Sequence, residues 1–280
     1  MPHLEKQLKN RNKIKFMREP AAEGFYPFSK PALQSQVSEL LVSAEKRKAI
    51  GIIAPHAGYA FSGSVAGKTY ASVSEFSKTI MLFGPNHTGF GQAISLSAAV
   101  WRTPLGIVKT DRRFEKVLPV SESAHEYEHS IEVQLPFLQS LLKDFSIVPV
   151  ALSHLSLQQI EELAGKLAGR EIFYIASSDF THFGPNYSYM PVRKSDKENL
   201  SYVKELDMKA IDMILKIQPA KFYNFVTENE MTICGFVPIT LLLFIARKLG
   251  AKRGFLVDYK TSYEVQPSSS FVAYAGILIE

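Results

Sequence analysis

The feature that most constrains this chain is a repeated alternation of a short apolar run, a polar turn and a helical pattern. Residues 49–54, 79–84, 145–152 and 171–177 are apolar runs bounded by turn formers, which is how a strand covered on both faces reads. Helical patterns at 62–73, 134–142 and 157–167 lie between them, and a β excursion at 93–108 precedes a short helix expected at 111–118. Strands separated by helices are joined as parallel neighbours, so the chain is expected to be an α/β protein around a mainly parallel central sheet. Further helices are expected at 31–44, 197–217, 219–229 and 238–249, and a closing hairpin at 255–262 and 271–278.

The polar turns carry the chemistry. Ala54-Pro55-His56-Ala57-Gly58 and Gly84-Pro85-Asn86-His87-Thr88-Gly89 leave the first two runs in the same local grammar. In an open α/β sheet, ligands bind beyond the carboxyl ends of the strands. Two histidines leaving two adjacent strands are therefore expected to converge. His129 stands ahead of the 134–142 helix, and the run at 171–177 opens into Ser178-Asp179-Phe180-Thr181-His182. The sole cysteine, Cys234, lies in a Cys-Gly turn before a helix.

Imidazole with thiolate suits zinc, iron or copper better than magnesium or calcium, and three protein ligands would leave an open position. There is no CxxC or HExxH signature, so a metal centre would have to be built from dispersed residues. A rival chemistry uses Cys234 as a nucleophile, its thiolate favoured by the helix N-terminus, with His182 or His129 as base and no metal. Asp179 and His182, three apart, suit an orienting carboxylate and a general base, or a loop staple in which the carboxylate caps backbone amides. His129 and Glu132 have the spacing of helix-face neighbours, although Ser130 and Glu132 also read as a helix start. His3, His125 and His154 are read as surface or loop residues.

At 280 residues, with 46% hydrophobic and 21% charged, the composition is globular. The longest apolar run, around 240–246, falls far short of the ~18 residues that would suggest a bilayer span. Residues 1–17 form a basic tail that accounts for much of the net charge of +5 and has no secretory pattern. One cysteine excludes an internal disulfide and fits a reducing compartment. A cytoplasmic protein is expected, with no membrane partner. Without aromatic interleaving or a recognised motif, no nucleic-acid partner is expected either.

Six segments in order resemble the Memo-like family, which includes protein B of the AmmeMemoRadiSam system. They are residues 18–27, 54–59, 84–87, Glu128-His129-Ser130-Ile131-Glu132 with the following 133–138, 177–182 and Cys234-Gly235. The resemblance covers essentially the whole chain after the tail, implying a single domain over 18–280. It implies an α/β sandwich similar to class III extradiol dioxygenases of the LigB type.

It further implies His56, His87 and Cys234 as ligands of iron or copper, with zinc possible. His182, Asp179 and His129 would be the catalytic groups of the same cleft. The cysteine stands where the dioxygenases place a glutamate, and a thiolate shifts preference toward softer or redox-active metal. A metal-dependent oxidoreductase of unknown substrate is thus the leading expectation. A non-catalytic module that binds a phosphorylated or acidic peptide, or sequesters metal, is the alternative. By family context, a small molecule or peptide is expected in the cleft, with radical SAM and AMMECR1-like proteins as pathway partners.

Overall fold

The computed structural model describes residues 17–280; the basic tail up to residue 16 and His3 lie outside the described residues. Among the described residues, eleven strands form one mixed sheet. They are β1 (Met17–Arg18), β2 (Gly51–Ala54), β3 (Thr79–Pro85), β4 (Ile94–Leu96), β5 (Val100–Thr103), β6 (Gly106–Thr110), β7 (Ser146–Leu152), β8 (Ile172–Ser177), β9 (His182–Phe183), β10 (Gly254–Thr261) and β11 (Phe271–Ile279). The order is β1-β5-β6-β7-β3-β8-β2-β11-β10, with β4 on β7 and β9 on β11. The central strands β6, β7, β3, β8 and β2 run parallel, and β10 and β11 close the edge as an antiparallel hairpin. Met17, at the end of the expected tail, pairs with Val100.

Seven α-helices among the described residues cover the sheet: α1 (Lys30–Leu40), α2 (Tyr59–Ala71), α3 (Leu135–Leu141), α4 (Leu157–Leu167), α5 (Asp196–Leu215), α6 (Pro219–Glu228) and α7 (Phe236–Leu249). The period-2 pleat sorts the strand side chains into two layers. Ile53, Met81, Phe83, Tyr174 and Ala176 pack with Ile160 of α4, Val203 of α5, Phe222 of α6 and Leu242 of α7. Their neighbours Ile52, Ile80, Leu82, Phe173 and Ile175 pack with Leu33 of α1, Tyr70 of α2 and Phe137 of α3. The result is a single-domain α/β sandwich. Among the described residues, no helix is long and apolar enough to cross a membrane.

Two expectations are corrected. Residues 111–118 form turns rather than a helix, because Asp111 caps the amide of Arg113 and the turn bonds run mostly three residues apart, as in Val117 N–H to Phe114 O. Pro119 follows and prevents extension. His125 lies in a turn, as read, but is fully buried and not on the surface: its Nε2 lies 2.9 Å from Ser95 O, and burial pulls its pKa down to about 4.

A buried ion pair and a buried carboxyl group join distant elements. Arg18 and Glu132, both nearly inaccessible, form an ion pair, and the Arg18 guanidinium stacks 4.5 Å over Trp101. Asp207 of α5 accepts hydrogen bonds from Thr181 Oγ1 at 2.6 Å and Tyr259 OH at 2.8 Å, joining α5 to the β8–β9 loop and β10. Burial without a cation raises its carboxyl to about 7, against the pull of those two hydroxyls.

Arg18→Met leaves the Glu132 carboxylate buried without its cation and should cost about 3–5 kcal/mol in urea unfolding; adding Glu132→Met should restore a large part of the loss. For Asp207 the folded protein holds the proton more tightly than the unfolded chain. Its stabilising contribution is therefore complete below about pH 4 and is lost as pH rises through about 7. Asp207→Asn should flatten that slope and leave the variant more stable than wild type at pH 8, by up to about 4 kcal/mol. Denaturation midpoints at pH 5 and 8 read both effects.

Candidate metal centre

The carboxyl ends of β3, β8 and β2 open into one cleft of about 570 Å³. Its walls include His56, His87, His129, Asp179 and His182. The two histidine loops do not leave adjacent strands, as the sequence led one to expect. β8 lies between β2 and β3 and pairs in parallel with both. That insertion is what brings the Asp179 and His182 loop into the middle of the site. From there residues 180–183 run beside β11, with Phe180 N–H on Ala273 O and His182 opposite Val272.

Cys234 reaches the site from the turn before α7. Its Sγ lies 3.2 Å from His56 Nε2, and donor atoms of His56, His87 and Cys234 lie within 4.8 Å of one another. Two glycines permit this convergence by close approach. A Cβ on Gly235 would lie 2.6 Å from Ser177 O, and one on Gly84 would lie 2.5 Å from Ser130 Oγ.

Hydrogen bonds fix which ring nitrogens are free. Ser177 Oγ donates to Ser130 O at 2.6 Å and accepts from Gln134 Nε2 at 2.8 Å. It therefore serves His56 Nδ1, 3.0 Å away, as an acceptor. The proton then sits on Nδ1 and the Nε2 lone pair faces Cys234. His87 Nδ1 lies 3.0 Å from Glu128 Oε1, which likewise frees its Nε2.

Glu128 also accepts from the amides of His87 at 2.6 Å and Ser130 at 2.9 Å. Burial would raise its pKa, but the His87 hydrogen bond and charge, with the Ser130 amide, outweigh it and hold it at about 2. A carboxylate so engaged orients the imidazole rather than offering itself as a ligand, although His87, Glu128 and His129 also lie close enough to hold an ion.

Asp179 proves to be both staple and neighbour. Its Oδ1 accepts from the amides of His56 at 2.8 Å and Ala57 at 3.2 Å, and its Oδ2 lies 3.9 Å from His56 Nε2. Burial raises its pKa against the opposing pull of His182 and those amides. His182 Nδ1 lies 3.0 Å from both Phe180 O and Thr232 O, so Nδ1 carries the proton and Nε2 is the acceptor. His129 is clasped between rings, 4.1 Å from Phe25 and 4.9 Å from His87 between centroids.

Burial and the neighbouring His87 hold the His56 pKa well below the ordinary imidazole value. Burial, then His56, lowers His129 to about 4. Both rings are thus neutral nitrogen donors at physiological pH. Burial, with the nearby Asp179 charge, pushes the Cys234 thiol up, so the helix N-terminus does not make a free thiolate. The imidazole beside the sulfur belongs to His56, not to His182 or His129, and the metal-free nucleophile loses both its activated thiol and its proposed base. The donor set of two imidazoles, His56 and His87, and the Cys234 thiol fits a soft or borderline metal ion.

Glu132 turns away from the cleft to meet Arg18, Tyr26 OH and the amides of Ala21 and Ala22. It is not a helix-face partner of His129. Sequence reasoning missed Glu128, Ser177, Gln134 and Thr232. Only Glu128 left a usable trace, a carboxylate directly before a histidine in a polar turn; the others act through contacts between distant segments.

A family model described as Memo-like protein matches residues 18–278. The chain is 37% identical to a MEMO1 family protein of Methanosarcina barkeri over 280 aligned residues, covering 94% of this chain and 100% of that one. It is 37% identical to a MEMO1 family protein of Archaeoglobus fulgidus over 274 residues, covering 94% and 99%. One from Pyrococcus abyssi is 36% identical over 289 residues, with the same coverage as the second.

Proposed function

This chain belongs to the Memo-like family, and from that premise we propose that it is a metal-binding protein, using iron or copper in a dioxygenase-like cleft as a redox or oxygen-handling enzyme. One observation carries the reading. One donor atom from each of His56, His87 and Cys234 lies within 4.8 Å of the other two, while Nδ1 of each ring faces Ser177 or Glu128. Rings held in one tautomer by outer partners are how proteins prepare imidazoles for metal. A thiol with two imidazoles suits iron and copper, with zinc as competitor. A reducing cytoplasm suits the single thiol.

Iron or copper held by these three residues would supply a redox couple and polarise a bound ligand. The chain's own groups do the rest. Asp179 holds the His56 loop through two amides. His182, its Nδ1–H engaged by carbonyl oxygens, offers Nε2 to accept and return a proton. Phe25 stacks on His129 and keeps that neutral ring fixed in the wall.

Elemental analysis of protein purified without a metal-affinity tag tests the ligand set. Wild type should carry about one equivalent of iron or copper per chain, with three ligands supplying one site, while Cys234→Ser and His56→Ala should carry far less. Equal metal in all three overturns it. Metal lost in the variants, with no oxygen consumed by the loaded wild type given a reductant and candidate ligands, would instead favour metal sequestration.

A further inference from the structure

The walls of the cleft restrict what it can hold. Among the described residues lining it none is Lys or Arg, and the lone carboxyl is Asp179. Phosphates and carboxylates are recognised by charge-assisted hydrogen bonds, usually from Arg or Lys. Stripping such an anion of water against neutral groups is costly. A divalent ion held by two neutral imidazoles and a thiolate would add only one net positive charge, and a cuprous ion none.

The cleft offers two aromatic surfaces and neutral polar groups instead. Phe25 and His129 lie ring against ring on one wall, 4.1 Å apart and tilted by 30°, and Tyr187 meets His182 edge-on at 5.1 Å on another. Asn186 and Gln266 line it with amides, and Ser268 and Ser270 with hydroxyls. Its volume of about 570 Å³ fits a molecule of one or two rings. Stacking surfaces with neutral donors and acceptors at the rim select a flat, uncharged ligand.

We infer that the cleft takes an uncharged planar ring bearing amide- or hydroxyl-type hydrogen-bonding groups and discriminates against phosphate and carboxylate ligands. This rests on the reading of the cleft as the functional site, and it disfavours a phosphorylated or acidic peptide as occupant. Tyr187 supplies a stacking edge, and Asn186 and Gln266 read the polar end of the ring.

Chelator-treated protein titrated with nicotinamide and nicotinate, followed by amide NMR shifts at residues 186, 187 and 266, tests the inference. The two probes share a shape and differ in charge; phenyl phosphate is the third probe. Nicotinamide should bind on the order of tenfold more tightly than nicotinate, and phenyl phosphate more weakly still. Tyr187→Ala, at an exposed position, should weaken nicotinamide, while Asn186→Arg should bring nicotinate level with it or past it. Nicotinate or phenyl phosphate binding as tightly as nicotinamide to the wild type overturns the inference. So does an absence of nicotinamide binding, or shifts confined to residues outside the cleft. Because the titration uses metal-free protein, it fails or succeeds independently of the metal analysis, which speaks only to the ligand set.

Discussion

The carboxylate of Glu132 is the interaction on which the site depends. It is completely buried, yet Arg18, Tyr26 OH and the amides of Ala21 and Ala22 all bond to it. Burying a charge is tolerated when every lone pair is met, and meeting these pins the segment around 128–134 against residues 18–26. From that segment Glu128 reaches His87, Ser130 Oγ bonds Pro85 O, and Gln134 bonds both Pro55 O and Ser177. Loops leaving two different strands are thus held by one short stretch that contributes no thiol or imidazole to the three-donor set.

The same packing explains the electrostatics of the cleft. Desolvation lowers His56 and His129 and raises Cys234, while Glu128 stays ionised because the His87 amide and ring and the Ser130 amide all hydrogen-bond its carboxylate. The two rings are held differently from behind: His87 Nδ1 faces the Glu128 carboxylate at 3.0 Å, whereas His56 Nδ1 faces the Ser177 hydroxyl at 3.0 Å.

Much of the architecture was legible because periodicity is a local property. The runs at 49–54, 79–84, 145–152 and 171–177 became the parallel strands, and the 157–167 helix was placed to the residue because its stripe of Ile160, Leu163 and Leu167 is clear. The site residues were legible because turns that end buried strands have few reasons to hold histidine. Strand order was not legible: nothing in the sequence says that β8 inserts between β2 and β3. Nor was the pairing of Glu132 with Arg18, which are 114 positions apart. His125 misled because a histidine among polar residues looks exposed, whereas here the burial comes from Trp101 and Arg18, distant in sequence.

The insertion of β8 also sets a timetable. As the chain emerges from the ribosome, the imidazoles of His56 and His87 are available early, but the strand that belongs between theirs is not made until residue 177. The sulfur follows at 234, and β11, which flanks both β2 and the His182 segment, comes last. Contacts this distant in sequence form slowly and late. The three-donor pocket is therefore a property of the finished polypeptide, and an incomplete or clipped chain would carry two histidines but no competent pocket. Cys234 thus joins His56 and His87 only after the strand that separates theirs has been made.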